Sequence, residues 1–386
     1  MERDKMEIRD TVADRAYIEI NLDHLTHNVN ELRRALPEGC EIMAVLKSEA
    51  YGHGIYEIGT HLDRIGIRAY AVSTIEEGIR LRQYGVRGEI LILGYTGICR
   101  AHELKEFDLT QTLIDHAYAE ALNGQGVSVK AHIKVDTGMH RLGTDWKEAD
   151  QVREMFFMRH IKISGMFTHL CCSDSREPEE SAFTREQIRR FYHLTDVLRQ
   201  SGISVPKLHM QSSYGFWNYP DVPCDYVRAG AILYGVKNLP GENTALELDL
   251  RPVLSLKSKV VLIRSIPKGE SVGYGRNFEA ARDSRIAVLP IGYGDGFPRS
   301  LSNGRGNALV GEHIVPIVGR ICMNQLILDI TDAEEVRVGD TATLIGAEGY
   351  EEISAPVVAE KSGSFSPELL CRLGARLPIV TISPKS

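Results

Sequence analysis

No stretch of about 18 consecutive apolar residues occurs in this sequence, so no segment reads as a membrane-spanning helix. Basic residues are not in excess. The 45 Lys and Arg are outnumbered by 52 Asp and Glu, and the formal net charge of -7 argues against a nucleic-acid-binding surface. The seven cysteines include no C-x-x-C pair, and no His, Cys or Asp cluster has metal-ligand spacing. Neither a disulfide framework nor a metal centre is expected, and an odd number of scattered thiols suits a reducing cytoplasm. There is no G-x-S-x-G elbow, which removes the commonest serine-hydrolase arrangement. The start, MERDKMEIRDTVADR, is too charged for a secretory signal, and residues 1–14 read as a charged tail. No repeat or low-complexity tract appears.

What is present is ordinary globular composition, 43% hydrophobic and 25% charged over 386 residues, with enough chain for one large core and a second domain. Eight short β-prone runs follow one another: IMAVL (42–46), AYAVS (69–73), ILILG (90–94), LTQTLI (109–114), VKAHIKV (129–135), ISGMFTHL (163–170), KLHMQS (207–212) and YVRAGAIL (226–233). Amphipathic stretches separate most of them. In residues 184–202, Ile188, Phe191, Leu194 and Leu198 fall at helical spacing, and Gly202 stands where a C-cap belongs. Strands alternating with helices imply a parallel sheet. Eight units in about 200 residues favour a (β/α)8 TIM barrel over an open doubly wound sheet. After about residue 245, strand-like runs succeed each other with turns between and few helices. The expected fold is α/β: a barrel over 15–245, then a mainly antiparallel β domain over 246–386.

In a barrel, reacting groups sit at the C-terminal ends of the strands. Lys47 closes the first run, in AVLKSEAYGHG; a desolvated amine there can be a nucleophile or a proton-transfer base, although a snorkelling lysine looks the same in sequence. The fifth run ends in KVDTGMHRLG, where Arg141 offers a fork for a carboxylate or phosphate. Lys134 points into the barrel if Val135 points out, and an interior lysine needs an anionic partner. His169 closes the sixth run and by itself is more often structural than catalytic. Ser212, Ser213 and the backbone of Gly230 and Ala231 follow the seventh and eighth strands, where barrels often cradle phosphate. Arg228 lies within the eighth. In the β domain, Tyr274 (VGYGR) and Tyr293 (GYGDGFPR) sit between glycines. No helix follows them, so they are not dinucleotide loops. Cys322, Met323 and Asn324 stand where two strands turn.

Seven motifs in order, AVLKSEAYGHG, KVDTGMHRLG, GMFTHL, VRAGAILYG, VGYGR, GYGDGFPR and GRICMN, make the chain resemble the alanine racemase family of fold-type III pyridoxal-phosphate enzymes from about residue 15 onward. The resemblance implies pyridoxal 5'-phosphate as cofactor, an amino-acid substrate and a head-to-tail homodimer. It also implies that residues 16–25 join the β domain. Residue by residue, Lys47 would hold the cofactor and act as one base, and Tyr274, from the partner subunit, as the opposite base. Arg141 would bind the substrate carboxylate and support the cofactor's phenolic oxygen. Lys134 would be carbamylated and bridge to it. His169 would orient Tyr274 or Arg228, and Arg228 would face the pyridine nitrogen. Tyr51, Ser212, Gly230 and Ala231 would hold phosphate. Tyr293, Met323 and Asn324 would line the substrate.

The chain departs from the family at three places. Ser48-Glu49 replaces the usual residues after the lysine. Asn324 stands for an aspartate, and Pro367 for a tyrosine that narrows the pocket. An ionised Asp only accepts hydrogen bonds, whereas Asn also donates. A wider pocket with a neutral amide suits a substrate one hydroxyl larger than alanine. This is similar to serine racemases of the VanT type, from vancomycin-resistance clusters, which supply D-serine for altered peptidoglycan precursors and carry a membrane domain ahead of the racemase part. The expectation is a cytoplasmic serine and alanine racemase, either free or as the soluble half of a membrane-anchored protein. A housekeeping alanine racemase and a non-catalytic pyridoxal-phosphate carrier are the alternatives; carriers lack the β domain and its VGYGR tyrosine.

Overall fold

A computed structural model of the protein describes residues 14–373 and 376–382. All but the last residue of the charged tail expected over 1–14 lies outside them.

Strand β1 (Ala16–Asn21) buries one face, and Asn21 then caps helix α1 (Leu22–Ala35) by accepting from the Asp23 and His24 amides. The barrel strands follow: β2 (Glu41–Val45), β3 (Ala69–Val72), β4 (Glu89–Ile92), β5 (Thr110–Leu113), β6 (Val129–Asp136), β7 (Ile161–Phe167), β8 (Lys207–His209) and β9 (Tyr226–Ala229). Each of the eight sequence runs overlaps one of them. They pair in parallel in the order β9-β2-β3-β4-β5-β6-β7-β8. The last seam is drawn together by backbone bonds from Asp225 to Leu208 (2.7 Å) and from Arg228 to Gln211 (3.1 Å). Helix α2 (Pro178–Gln200) lies on the outside and buries Phe191, Leu194 and Leu198 at the expected spacing.

The second unit is a sheet built from β10 (Leu254–Lys259), β11 (Leu262–Ile266), β12 (Ser284–Leu289), β13 (Asn307–Val310), β14 (His313–Val318), β15 (Leu326–Asp329), β16 (Thr341–Glu348) and β17 (Ile379–Ile382). Pairing is antiparallel throughout, except that β1 runs parallel to β17. Strand β1 therefore sits in this sheet, between β10 and β17. Arg15 reinforces that placement through an ion pair with the buried carboxylate of Asp295 (2.9 Å). The short helix α3 (Ser366–Arg372) returns from the sheet to the barrel mouth.

All seven cysteines are free. Among the described residues no group of His, Cys, Asp or Glu could hold a metal ion, and no helix is long and apolar enough to cross a membrane.

Candidate active site

Lys47 leaves β2 into an unusual turn. Ser48, Glu49, Ala50 and Tyr51 all have φ between 52° and 56°, forming one turn of left-handed helix. Such a conformation costs about 1–2 kcal/mol per residue for L-amino acids, so neighbouring structure must hold it. Glu77 supplies much of that hold. Its buried carboxylate accepts from the amides of Ser48 (2.6 Å), Ser73 (2.7 Å) and Thr74 (3.2 Å), tying the turn to the exit of β3. Gly52 (φ +79°) lets α3 close over the turn, because a Cβ there would lie 2.0 Å from the Leu370 carbonyl oxygen.

Lys47, Lys134, Arg141, His169 and Arg228 line one cavity of about 200 Å³ at the barrel mouth. Its lining contains four cationic side chains and no carboxylate. Burial, then Arg141, push the Lys47 amine below its ordinary value. Lys134 faces the barrel interior and is 4% exposed. Burial, then the Arg228 and Arg141 charges, bring it down to about 7. The anionic partner expected for Lys134 is not supplied by the chain: among the described residues no carboxylate pairs with it, and its amine lies over the Phe167 ring at 5.0 Å. Arg228 donates to His209 Nδ1 (2.8 Å), the Thr168 carbonyl (2.9 Å), the Met210 carbonyl (3.1 Å) and His169 Nδ1 (3.3 Å). Burial lowers its pKa to about 10.

Beside this cavity, Tyr51 is partly buried and packs on Tyr234, with ring centres 5.4 Å apart. A Cβ on Gly230 would come 2.7 Å from the Tyr51 hydroxyl. Ser212 caps the Ser213–Asn218 helix, and Ala231 is buried. The Gly230 amide, expected to face a phosphate, donates in this structure to Ser213 Oγ (3.1 Å).

Tyr274, Tyr293, Met323 and Asn324 are not in that cavity. They line another, of about 660 Å³, on the β domain. Tyr274 is 67% exposed, and its hydroxyl has no hydrogen-bond partner among the described residues. The Tyr293 turn is fastened to the loop between β14 and β15 by amide bonds from Tyr293 to Cys322 O (3.1 Å) and from Gly294 to Met323 O (2.8 Å). Gly292 allows that approach, since a Cβ there would meet Cys322 O at 2.2 Å. One chain thus places the residues singled out by sequence around two separate cavities.

Three contributors escaped the sequence reading. Glu77 was legible in principle: Thr74 and Glu77 form a capping box. His209 alternates with the apolar Leu208 and Met210, so a strict period-2 reading of β8 would have aimed it inward. Phe167, the platform under both Arg228 and Lys134, gave no signal beyond hydrophobicity.

A closed parallel barrel with a lysine-headed cationic mouth, joined to a sheet that presents a tyrosine on a glycine turn, defines a two-domain amino-acid racemase architecture. The chain belongs to the alanine racemase family: the family models for the alanine racemase N-terminal and C-terminal domains match residues 20–238 and 253–381. It is 54% identical over 368 residues to an amino-acid racemase of Enterococcus faecalis, covering 95% of this chain and 52% of that protein. It is 36% identical to a serine/alanine racemase of Enterococcus gallinarum, covering 95% and 51%. The chain thus spans about half the length of these two relatives. Its fold superposes on alanine racemase of Clostridium difficile 630 with a TM-score of 0.88 at 32% identity, covering 95% of each chain. It also superposes on a histidine racemase of Leuconostoc mesenteroides with a TM-score of 0.85 at 29% identity, covering 95% and 98%. The architecture therefore hosts more than one amino-acid substrate.

Proposed function

We propose that this chain racemises serine, and alanine beside it, with pyridoxal 5'-phosphate as cofactor and in a head-to-tail homodimer. The observation that carries the reading is the barrel-mouth cavity, with four cations, no acid and a desolvated lysine at its rim. Two of these cations, Lys134 and Arg228, are buried with no carboxylate in the cavity lining, and buried cations need an anionic occupant. A phosphorylated pyridine with a phenolate and an aldehyde fits that need. Lys47 would hold it covalently. Arg228 would face its ring nitrogen, and Tyr51, Ser212, Gly230 and Ala231 its phosphate. Bound there, it would spread the negative charge left on the substrate when the α-proton departs.

The chain's own groups then divide the work. Arg141 fixes the substrate carboxylate and Phe167 floors the cavity. The Lys47 amine takes or returns the α-proton on one face. Its lowered pKa raises the neutral fraction available for that step. The opposite face needs a second base, and in this reading it is Tyr274 of the partner subunit. An exposed tyrosine with no hydrogen-bond partner among the described residues, in a separate cavity, is what a shared site would leave on an isolated chain. Lys134, desolvated beside two arginines, is the natural place for a carbamate that would convert it to an anion.

Serine over alanine alone is supported by Asn324, whose amide can both donate to and accept from a hydroxyl, and by Pro367, which brings no bulky side chain to α3. The role that follows is D-serine supply for altered cell-wall precursors. The test is an exchange assay on D- and L-serine and D- and L-alanine with added pyridoxal phosphate. Inversion of both substrates is expected, and Asn324→Asp should shift the ratio toward alanine. Alanine turnover without serine turnover would leave the housekeeping alanine racemase as the correct reading. No turnover of either would refute the racemase assignment.

A further inference from the structure

A continuous polar chain runs through the barrel interior beneath the cavity. Arg228 reaches His209 Nδ1 at 2.8 Å, His209 Nε2 lies 2.9 Å from His132 Nδ1, and His132 Nε2 lies 3.0 Å from Glu89 Oε1. The two imidazoles are fully buried and Arg228 is 4% exposed. The four residues come from four different strands, β4, β6, β8 and β9.

The ends of the chain fix its direction. A guanidinium can only donate, and an ionised carboxylate can only accept. His209 Nδ1 must therefore be the bare nitrogen, and its proton sits on Nε2 and donates to His132 Nδ1. The His132 proton in turn sits on Nε2 and donates to Glu89. Reversing either ring sets two protons against each other, either at Arg228 or between the rings. Burial, then the Arg228 charge, hold His209 far below the usual histidine range, so it stays a neutral single donor. Burial alone would push the Glu89 carboxyl up. The hydrogen bond from His132, aided by Thr110, outweighs that and leaves Glu89 below its ordinary value.

The surroundings are shaped for these rings. Gly165 makes room for His132: a Cβ there would lie 2.5 Å from the imidazole. Phe167 stacks on His209 at 4.8 Å and 7°, which opposes rotation of the ring. At the floor, Lys207 donates to the Tyr226 hydroxyl (2.7 Å), and Thr110 reaches Glu89 at 3.3 Å.

We infer that Glu89 and His132 are positioning residues, which lock His209 in the Nε2-protonated tautomer and so hold Arg228 at the cavity as a fixed donor. Glu89 does not touch the cavity; it acts through two rings. Aligned hydrogen bonds polarise one another in a low-dielectric interior, so the Glu89 charge is felt at Arg228 more strongly than distance alone would allow.

The test uses holoenzyme with 15N-labelled histidine, with the His132 and His209 ring signals assigned by single His→Asn variants. Wild type should show both rings protonated on Nε2 only. Glu89→Leu removes the terminal acceptor. It should give tautomer exchange at His132 and lower kcat about tenfold, the value of one hydrogen bond, with KM nearly unchanged. Glu89→Gln keeps a carbonyl acceptor in place and should restore both the ring spectrum and kcat. A wild-type His209 protonated on Nδ1 would overturn the inference. So would a Glu89→Leu spectrum identical to wild type, or a Glu89→Gln as impaired as Glu89→Leu. Should Glu89→Leu fail to fold, the wild-type and Glu89→Gln spectra still decide. Only the rate arm rests on the racemase reading. The ring spectra are read whether or not the enzyme turns over serine, so the two failures are distinguishable.

Discussion

Replacing Glu77 by glutamine probes how the reacting lysine is held. The carboxylate accepts from three amides, at 2.6, 2.7 and 3.2 Å, on the two segments that flank the cavity. A glutamine carbonyl can keep one of the two short bonds. Its NH2 must then point at another N–H, where no acceptor remains. A hydrogen bond to a charged group contributes about 1.5–3 kcal/mol, and an abandoned buried amide costs about 1–3 kcal/mol. Allowing for partial relaxation, Glu77→Gln should destabilise the turn by about 2–4 kcal/mol. The left-handed segment already stores several kcal/mol of backbone strain, so the loss should appear there first. Hydrogen exchange of the Ser48–Tyr51 amides is the direct assay. Opening should become about 30- to 1,000-fold more frequent, since 1.4 kcal/mol is tenfold. Amides of β6 and β7 should be little changed. Racemisation should fall as Lys47 loses its fixed direction. Wild-type exchange at Ser48 and Ser73, with wild-type turnover, would refute the reasoning and place the support for the turn elsewhere, for instance in α3.

Gly230→Ala should raise the dissociation constant for pyridoxal phosphate at least tenfold, because its Cβ falls 2.7 Å from the Tyr51 hydroxyl; unchanged cofactor titration would contradict that packing. Tyr274→Phe must lower kcat/KM equally in both directions, since the two enantiomers have equal free energy. The asymmetry should appear instead in deuterium wash-in: one enantiomer should still exchange its α-hydrogen in D2O without inverting, and the other should not. Lys134 gives a pH signature. Its folded pKa of about 7 is below the unfolded value of 10.5, so between those pH values the unfolded chain binds the extra proton and stability rises with pH. Lys134→Met should therefore stabilise cofactor-free protein most below pH 7, with the gain fading toward pH 10.5. A pH-independent difference in urea midpoint would contradict a neutralised lysine.

Much of the scaffold was legible from periodicity. Eight β-branched runs separated by amphipathic stretches demanded a parallel sheet, and the count pointed to closure. Lys47, Arg141 and Arg228 stood out because a charge at the end of, or inside, an apolar strand needs a reason. Other parts were illegible for equally physical reasons. Nothing in Ser-Glu-Ala-Tyr announces a left-handed helix, which L-residues avoid and which only outside contacts sustain. The carboxylate that sustains it belongs to another βα unit. No local pattern announced that Ser213, the first residue of the helix after β8, would accept from the Gly230 amide.

The sequence by itself determined the order of elements, the barrel and sheet units and which residue types could do chemistry, because these follow from local propensity and from the cost of burying charge. Tertiary structure alone decided how those residues are grouped. It gathered Lys47, Lys134, Arg141, His169 and Arg228 around one cavity with no acid among them, and set Tyr274 in another. It also threaded Glu89, His132 and His209 into a single direction of hydrogen bonding. Such directions and groupings come from contacts between segments far apart in the chain, which no local pattern encodes.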